Sequence, residues 1–117
     1  MRQLASLKAW TEANAYARAA YRCTMEVPLK RHFGLADQIR RAAVSIPANI
    51  VEGYTYGTRA QLVRYLRIAL SSARELNCHL EFAHDLALVN RGRARALAIQ
   101  GDMVVRLLVG LLNRMSS

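Results

Sequence analysis

The sequence predicts an all-α protein, an up-down-up-down antiparallel four-helix bundle. Three observations point there. Apolar residues recur at three- and four-residue steps over long stretches. Only two prolines and six glycines interrupt 117 residues, so the elements are few and long. Alanine and leucine are abundant and β-branched residues sparse, which favours helix over strand. At this length one domain, residues 1–117, is expected, and its core needs a face from every helix.

The first helix is predicted over about residues 4–24, with Leu4, Leu7, Trp10, Asn14, Ala17 and Tyr21 on one stripe. Pro28 stops it, and the residues around Gly34 form the turn. The second helix starts near Leu35 and places Leu35, Ile39, Ala42, Ile46, Asn49, Ile50 and Gly53 on one face. Gly57 ends it. Thr58 followed by Gln61 is a capping box, so a third helix begins at once. Its stripe is Leu62, Leu66, Ala69, Ala73, Leu76, Leu80, Ala83 and Ala87, reaching about Val89. "NRG" makes the last turn, and a fourth helix is predicted over about residues 94–115. Links this short force each helix to run antiparallel to the one before it.

Inside the second helix, "QIRRAAVSIPANIVEG" keeps its helical rhythm through a proline. Pro47 removes one backbone donor and frees the carbonyl of Ala43, so a kink is expected there. The Ser45 hydroxyl is expected to satisfy part of the disrupted ladder. Asn49, on the core edge, needs polar partners, either backbone carbonyls freed by the bend or a neighbouring helix. Gly53 permits close helix approach. A small-ligand site built from Ser45, Asn49 and Glu52 is the competing reading of the same stretch.

The predicted helices carry more apolar surface than one bundle hides. On the fourth, Met103, Val104, Val105, Leu107, Leu108, Val109, Leu111 and Leu112 leave only Arg95, Asp102, Arg106 and Asn113 as a polar strip. On the second, Val44, Ala48 and Val51 lie opposite the core face, flanked by Arg40 and Arg41. Soluble monomers avoid such patches, so a homo-oligomer is expected.

Arginine and lysine outnumber aspartate and glutamate 17 to 8, a formal net charge of +9, and 15 of the 17 are arginine. Arginine forms bidentate contacts with phosphate, which makes RNA or DNA the first partner to consider. A GC-rich coding sequence would also enrich arginine. On the third helix Arg59, Arg64, Arg67 and Arg74 occupy the N-terminal half, while Glu75, Glu81 and Asp85 occupy the C-terminal half. The helix dipole favours the opposite layout. Arg40 and Arg41 add charge on the second helix. No recognition-helix or aromatic-stacking signature accompanies these arginines, so sequence-independent backbone contact is expected. The alternative is that the arginine stripe meets the acidic half of a neighbouring subunit.

Catalysis has little raw material. Eight carboxylates, no glycine-rich phosphate loop and no nucleophile elbow argue against an enzyme and name no catalytic residue. Glu81 and His84 have the spacing of one di-iron half-site, but such a site needs two copies and further inward carboxylates, so no metal or cofactor is expected. His84 is read as a core-side histidine and His79 as flanking the core. Cys23 and Cys78 lack metal-ligand spacing and fit structural thiols in a reducing cytoplasm. The polar start "MRQLASLKAW" fits neither signal peptide nor anchor, and the apolar run broken by Arg106 is expected to be too short to span a bilayer.

The stretch "GLADQIRRAAVSIPANIVEGYTYGTRAQLVRYLRIALSSARELNCHLEFA" resembles the four-helix-bundle proteins named after intervening sequences in bacterial 23S rRNA genes. Gln38, Arg40, Arg41, Ala42, Ala43, Ser45, Ile46, Pro47, Asn49, Ile50, Glu52 and Gly53 carry the first part of that pattern. Tyr65, Leu66, Ile68, Ala69, Ser72, Glu75 and Leu76 carry the second. Val51 stands where the family has alanine, and Gln61 and Leu62 where it favours Glu and Phe. The resemblance implies a bundle that closes into a ring, typically a homopentamer, and no catalytic residue. It is also similar to the accessory protein of diversity-generating retroelements, a basic bundle that binds nucleic acid beside a reverse transcriptase. That likeness implies a nucleic-acid-processing protein as a further partner.

Overall fold

A computed structural model describes residues 4–115, with side chains from residue 6. The described chain is all-helical: α1 (Leu4–Cys23), α2 (Phe33–Thr55), α3 (Arg59–Asp85) and α4 (Arg91–Met115), with a short 3-10 turn over Leu29–Arg31. Among the described residues there is no strand. α1 packs against α2 and α4, and α3 packs against the same two. The molecule measures 43 × 22 × 18 Å, with its long dimension set by helices of this length.

The core stripes of α2 and α3 lie where periodicity predicts them. Ile39, Ala42, Ile46, Ile50 and Gly53 are buried on α2, and Leu66, Ala69, Ala73, Leu76, Leu80 and Ala83 on α3. Each large aliphatic so buried contributes about 2 kcal/mol. Pro47 sits inside α2, and the helix continues on both sides of it.

α1 differs from its predicted stripe. Ser6, Ala9, Ala13, Tyr16, Ala17, Ala20 and Cys23 are buried, whereas Leu7 and Tyr21 are exposed and Trp10 and Asn14 only half-buried. The Leu4 side chain lies outside the described residues. The physical reason is volume. Alanines let α1 come close to α2 and α4, Tyr16 is the one bulky aromatic taken into the described core face, and Leu7 and Tyr21 are turned onto the flank. Two contacts fix its ends: the Ser6 and Tyr54 hydroxyls are hydrogen-bonded, and Arg40 Nε donates to Thr24 Oγ1 at 2.8 Å.

The remaining boundaries shift for local reasons. α2 starts two residues before Leu35, with Gly34 in its first turn instead of in the link. α3 begins after Thr58, whose hydroxyl accepts from the Gln61 N–H at 3.2 Å. It ends at Asp85, short of Val89, because Ala87 adopts a positive φ of 60°. There the Leu88 N–H donates to the Ala83 carbonyl and the Ala87 N–H to that of His84, both at 2.9 Å, satisfying carbonyls the helix leaves open. α4 begins at Arg91, because Asn90 Oδ1 accepts the Arg93 N–H at 2.8 Å and caps the helix.

The left-handed alanine yields a direct expectation. Ala87→Gly removes the steric cost of that conformation and raises stability by about 1 kcal/mol, read as a higher urea midpoint. A midpoint that is unchanged or lower contradicts this account of the turn.

α4 also corrects an expectation. By length and composition it is apolar enough to cross a membrane. Yet Leu97, Gly101, Val104, Leu108 and Leu111 are buried against the other helices, and Val105, Leu107, Val109 and Leu112 are half-buried. Part of its apolar excess is thus absorbed within the chain, leaving Ile99 and Met103 exposed. The larger uncovered apolar surface lies along the seam of α1 and α2. Leu7, Val44 and Val51 are each more than half exposed there (51, 55 and 54%). Two grooves open on that seam, one of about 360 Å³ at Leu7, Trp10 and Val51, the other of about 310 Å³ at Tyr21, Val44 and Ala48.

A candidate nucleic-acid interface

The six arginines singled out by the sequence fall into two groups. Arg40 and Arg59 are tied into the fold. Arg40 is half-buried, bonds the hydroxyl and the carbonyl of Thr24, and lies 5.6 Å from the Tyr21 ring centroid. Arg59 donates to the Met115 carbonyl and so joins the start of α3 to the end of α4. Arg41 is exposed and paired with Asp37 one turn earlier at 3.0 Å.

Arg64, Arg67 and Arg74 are exposed on α3, and steps of 100° per residue place them on its outward face. No ion pair ties any of the three among the described residues. Unpaired guanidinium groups on one helix face keep their full hydrogen-bonding capacity for a phosphate chain. Glu75, Glu81 and Asp85 are exposed at the other end of the same helix, and Glu75 lies 3.4 Å from His79.

The sequence carries no aromatic-stacking signature beside these arginines, yet the fold brings two rings together there. Tyr56 and Tyr65 stack with centroids 5.5 Å apart and planes within 6°, and the Arg64 guanidinium lies 5.5 Å from the Tyr65 ring. The hydroxyl of Tyr65 and the negative charge of Glu52 push the Tyr56 phenol pKa above its ordinary value. Sequence reading missed the pair because one ring stands just past the end of α2 and the other on α3, on either side of a tight turn. Gly57, at φ 75°, makes that turn.

The motif of α2 is arranged around its own polar contacts. Asn49 Nδ2 donates to the Ser45 carbonyl at 2.8 Å and to Ser45 Oγ at 2.9 Å. Ser45 Oγ meets Ser72 Oγ of α3 at 2.7 Å, so this hydroxyl bridges helices instead of repairing the ladder freed by Pro47. Glu52 is exposed, one turn before Tyr56. Gly53 faces α3: a Cβ there would stand 3.0 Å from Leu62 Cδ1 and 3.2 Å from Tyr65 Cβ. Ser45 and Asn49 therefore spend their polar atoms on each other and on α3.

His79 flanks the core half-buried, as expected, and His84 does not keep its expected core-side place. His84 is exposed at a groove between α3 and α4, off the core stripe, because α3 ends one residue later and the stripe has turned away. Among the described residues, no three His, Cys, Asp or Glu side chains come together as a metal site.

Against known proteins, the model of the 23S rRNA-intervening sequence protein family matches residues 5–110. A solved structure of a protein with unknown function from the S23 ribosomal protein family of Bacteroides thetaiotaomicron is similar, with a TM-score of 0.86 at 23% identity. The likeness covers 94% of this chain and 99% of that one, and at this identity it speaks for the fold alone. A comparison with curated proteins finds no match.

Proposed function

The chain belongs to the 23S rRNA-intervening sequence protein family, and from that premise we propose that it is a non-enzymatic, cytoplasmic, homo-oligomeric nucleic-acid-binding protein. In this reading the chain is one domain, an up-down-up-down bundle bent at Pro47, with no membrane role. The Ser6–Tyr54 contact pairs the start of α1 with the end of α2, and the Arg40–Thr24 contact pairs the opposite ends, as antiparallel neighbours require. Copies cover the α1/α2 seam, and the resemblance noted above sets the expected number at five. RNA or DNA lies against the outward arginines, and a nucleic-acid-processing protein is the natural second partner.

The observation that carries this reading is the face of Arg64, Arg67 and Arg74, exposed and free of carboxylate partners among the described residues, in a chain of net charge +9. A gel-shift series in rising salt tests it. Each phosphate-bound cation releases about one counterion, so the logarithmic salt slope falls by roughly three units when all three arginines become alanine. Absence of binding at low salt from an intact oligomer contradicts the reading. It would favour the alternative, a scaffold whose arginines face the exposed Glu75, Glu81 and Asp85 of a neighbouring copy.

A further inference from the structure

The tyrosine pair beside the arginine face bears on which form of nucleic acid the protein takes. Tyr56 follows the last residue of α2, and Gly57 and Thr58 then turn the chain directly into α3. Tyr65 is half-buried, and the close approach of α3 to Gly53 fixes where its ring stands. Tyr56 stacks on that fixed ring while 50% exposed, which leaves ring surface open to solvent. A tyrosine so placed is already oriented before any ligand arrives, so little side-chain entropy is lost on binding.

An open aromatic face takes the face of a base. In a duplex those faces are occupied by neighbouring base pairs, and only the ends are free. In a single strand every base offers one, and each base stacked on an aromatic side chain adds measurable affinity without sequence preference. The Arg64 guanidinium beside Tyr65 supplies the charge for the adjoining phosphate, and Arg67 follows one turn along α3. Glu52 repels phosphate on the α2 side of Tyr56, which directs the backbone of the strand toward α3.

We infer that the protein prefers single-stranded nucleic acid, stacking an unpaired base on Tyr56 with the flanking phosphates on Arg64 and Arg67. This rests on the nucleic-acid reading proposed above and adds the strand form. A purely structural role for the pair, closing the link between α2 and α3, predicts no difference between strand and duplex.

Fluorescence anisotropy with labelled oligo(dT) and oligo(U) of about 20 nucleotides, and with a duplex of the same length, separates the possibilities. The wild type is expected to bind a single strand more tightly than the duplex. Tyr56→Leu weakens single-strand binding about tenfold and leaves duplex binding unchanged, while Tyr56→Trp retains the preference. Equal affinity for strand and duplex, a preference that survives in Tyr56→Leu, or an equal loss on both overturns the inference and leaves the nucleic-acid reading standing. Failure of the wild type to bind any of the three at low salt removes that reading, and this inference with it.

Discussion

Gly101→Ala lowers the stability of the fold by about 2 kcal/mol, although alanine is the better helix residue. Three helices meet at this position. The Tyr16 hydroxyl of α1 donates to Asn77 Oδ1 of α3, and both lie against the bare Cα of Gly101 on α4. A Cβ there would stand 2.6 Å from the Tyr16 oxygen and 2.8 Å from its Cζ, with Asn77 Oδ1 closer still. Tyr16 is fully buried among the helices. Its burial also holds the phenol pKa above the ordinary tyrosine value, so the hydroxyl remains a donor. The clash displaces the ring and breaks the one bond that satisfies it, which together outweigh the propensity gain of about 1 kcal/mol. Gly110 on the same helix is the control. A Cβ there meets nothing within 4 Å, so Gly110→Ala gains up to about 1 kcal/mol. Denaturant midpoints of the two variants should move in opposite directions. A shift of the same sign for both contradicts the packing account.

If copies cover the α1/α2 seam as proposed, the double substitution Val44→Glu with Val51→Glu separates them into single chains while each chain stays folded. Both valines are more than half exposed on the single chain, so their loss leaves the core untouched. They line the α1/α2 seam with Leu7 and Trp10, where the two grooves open. An uncompensated carboxylate buried there costs several kcal/mol per copy, more than most such interfaces can absorb. The expected result is a helical circular dichroism spectrum like that of the wild type with a mass reduced to that of one chain. An unchanged mass places the subunit contact elsewhere.

How much of this was legible in the sequence depended on side-chain size. α2 and α3 present isoleucine and leucine at helical spacing, and their buried faces follow from that alone. α1 reads wrongly by the same rule, because its core face is built mostly of alanine around Tyr16, while Leu7 and Tyr21 serve the flank. That misreading has a consequence for function. Leu7 and Trp10, assigned to the core by periodicity, line the open groove that the proposed assembly would cover. The start of α4 was hidden because Asn90 and Gly92 carry turn composition, and only the Asn90 side-chain bond to the Arg93 N–H makes the segment a cap. The need of Asn49 for a backbone carbonyl was readable. The reach of Ser45 across to Ser72 was not, since nothing local fixes which helix a serine faces.

The candidate site was legible in its charge and not in its form. Arg64, Arg67 and Arg74 share an outward face by spacing alone, and among the described residues no ion pair holds them. That Arg40 and Arg59 serve the fold depends on partners far along the chain, Thr24 and Met115, which no local pattern announces. The tyrosine pair likewise arises only when the turn at Gly57 folds α3 back along α2.

Light scattering on the purified protein over a range of concentrations is the most direct test. If identical copies cover the α1/α2 seam, the wild-type mass is a fixed multiple of 13.1 kDa, with five copies expected from the family resemblance. A mass of 13.1 kDa at every concentration would leave Val44, Val51 and Leu7 in water and contradict the account.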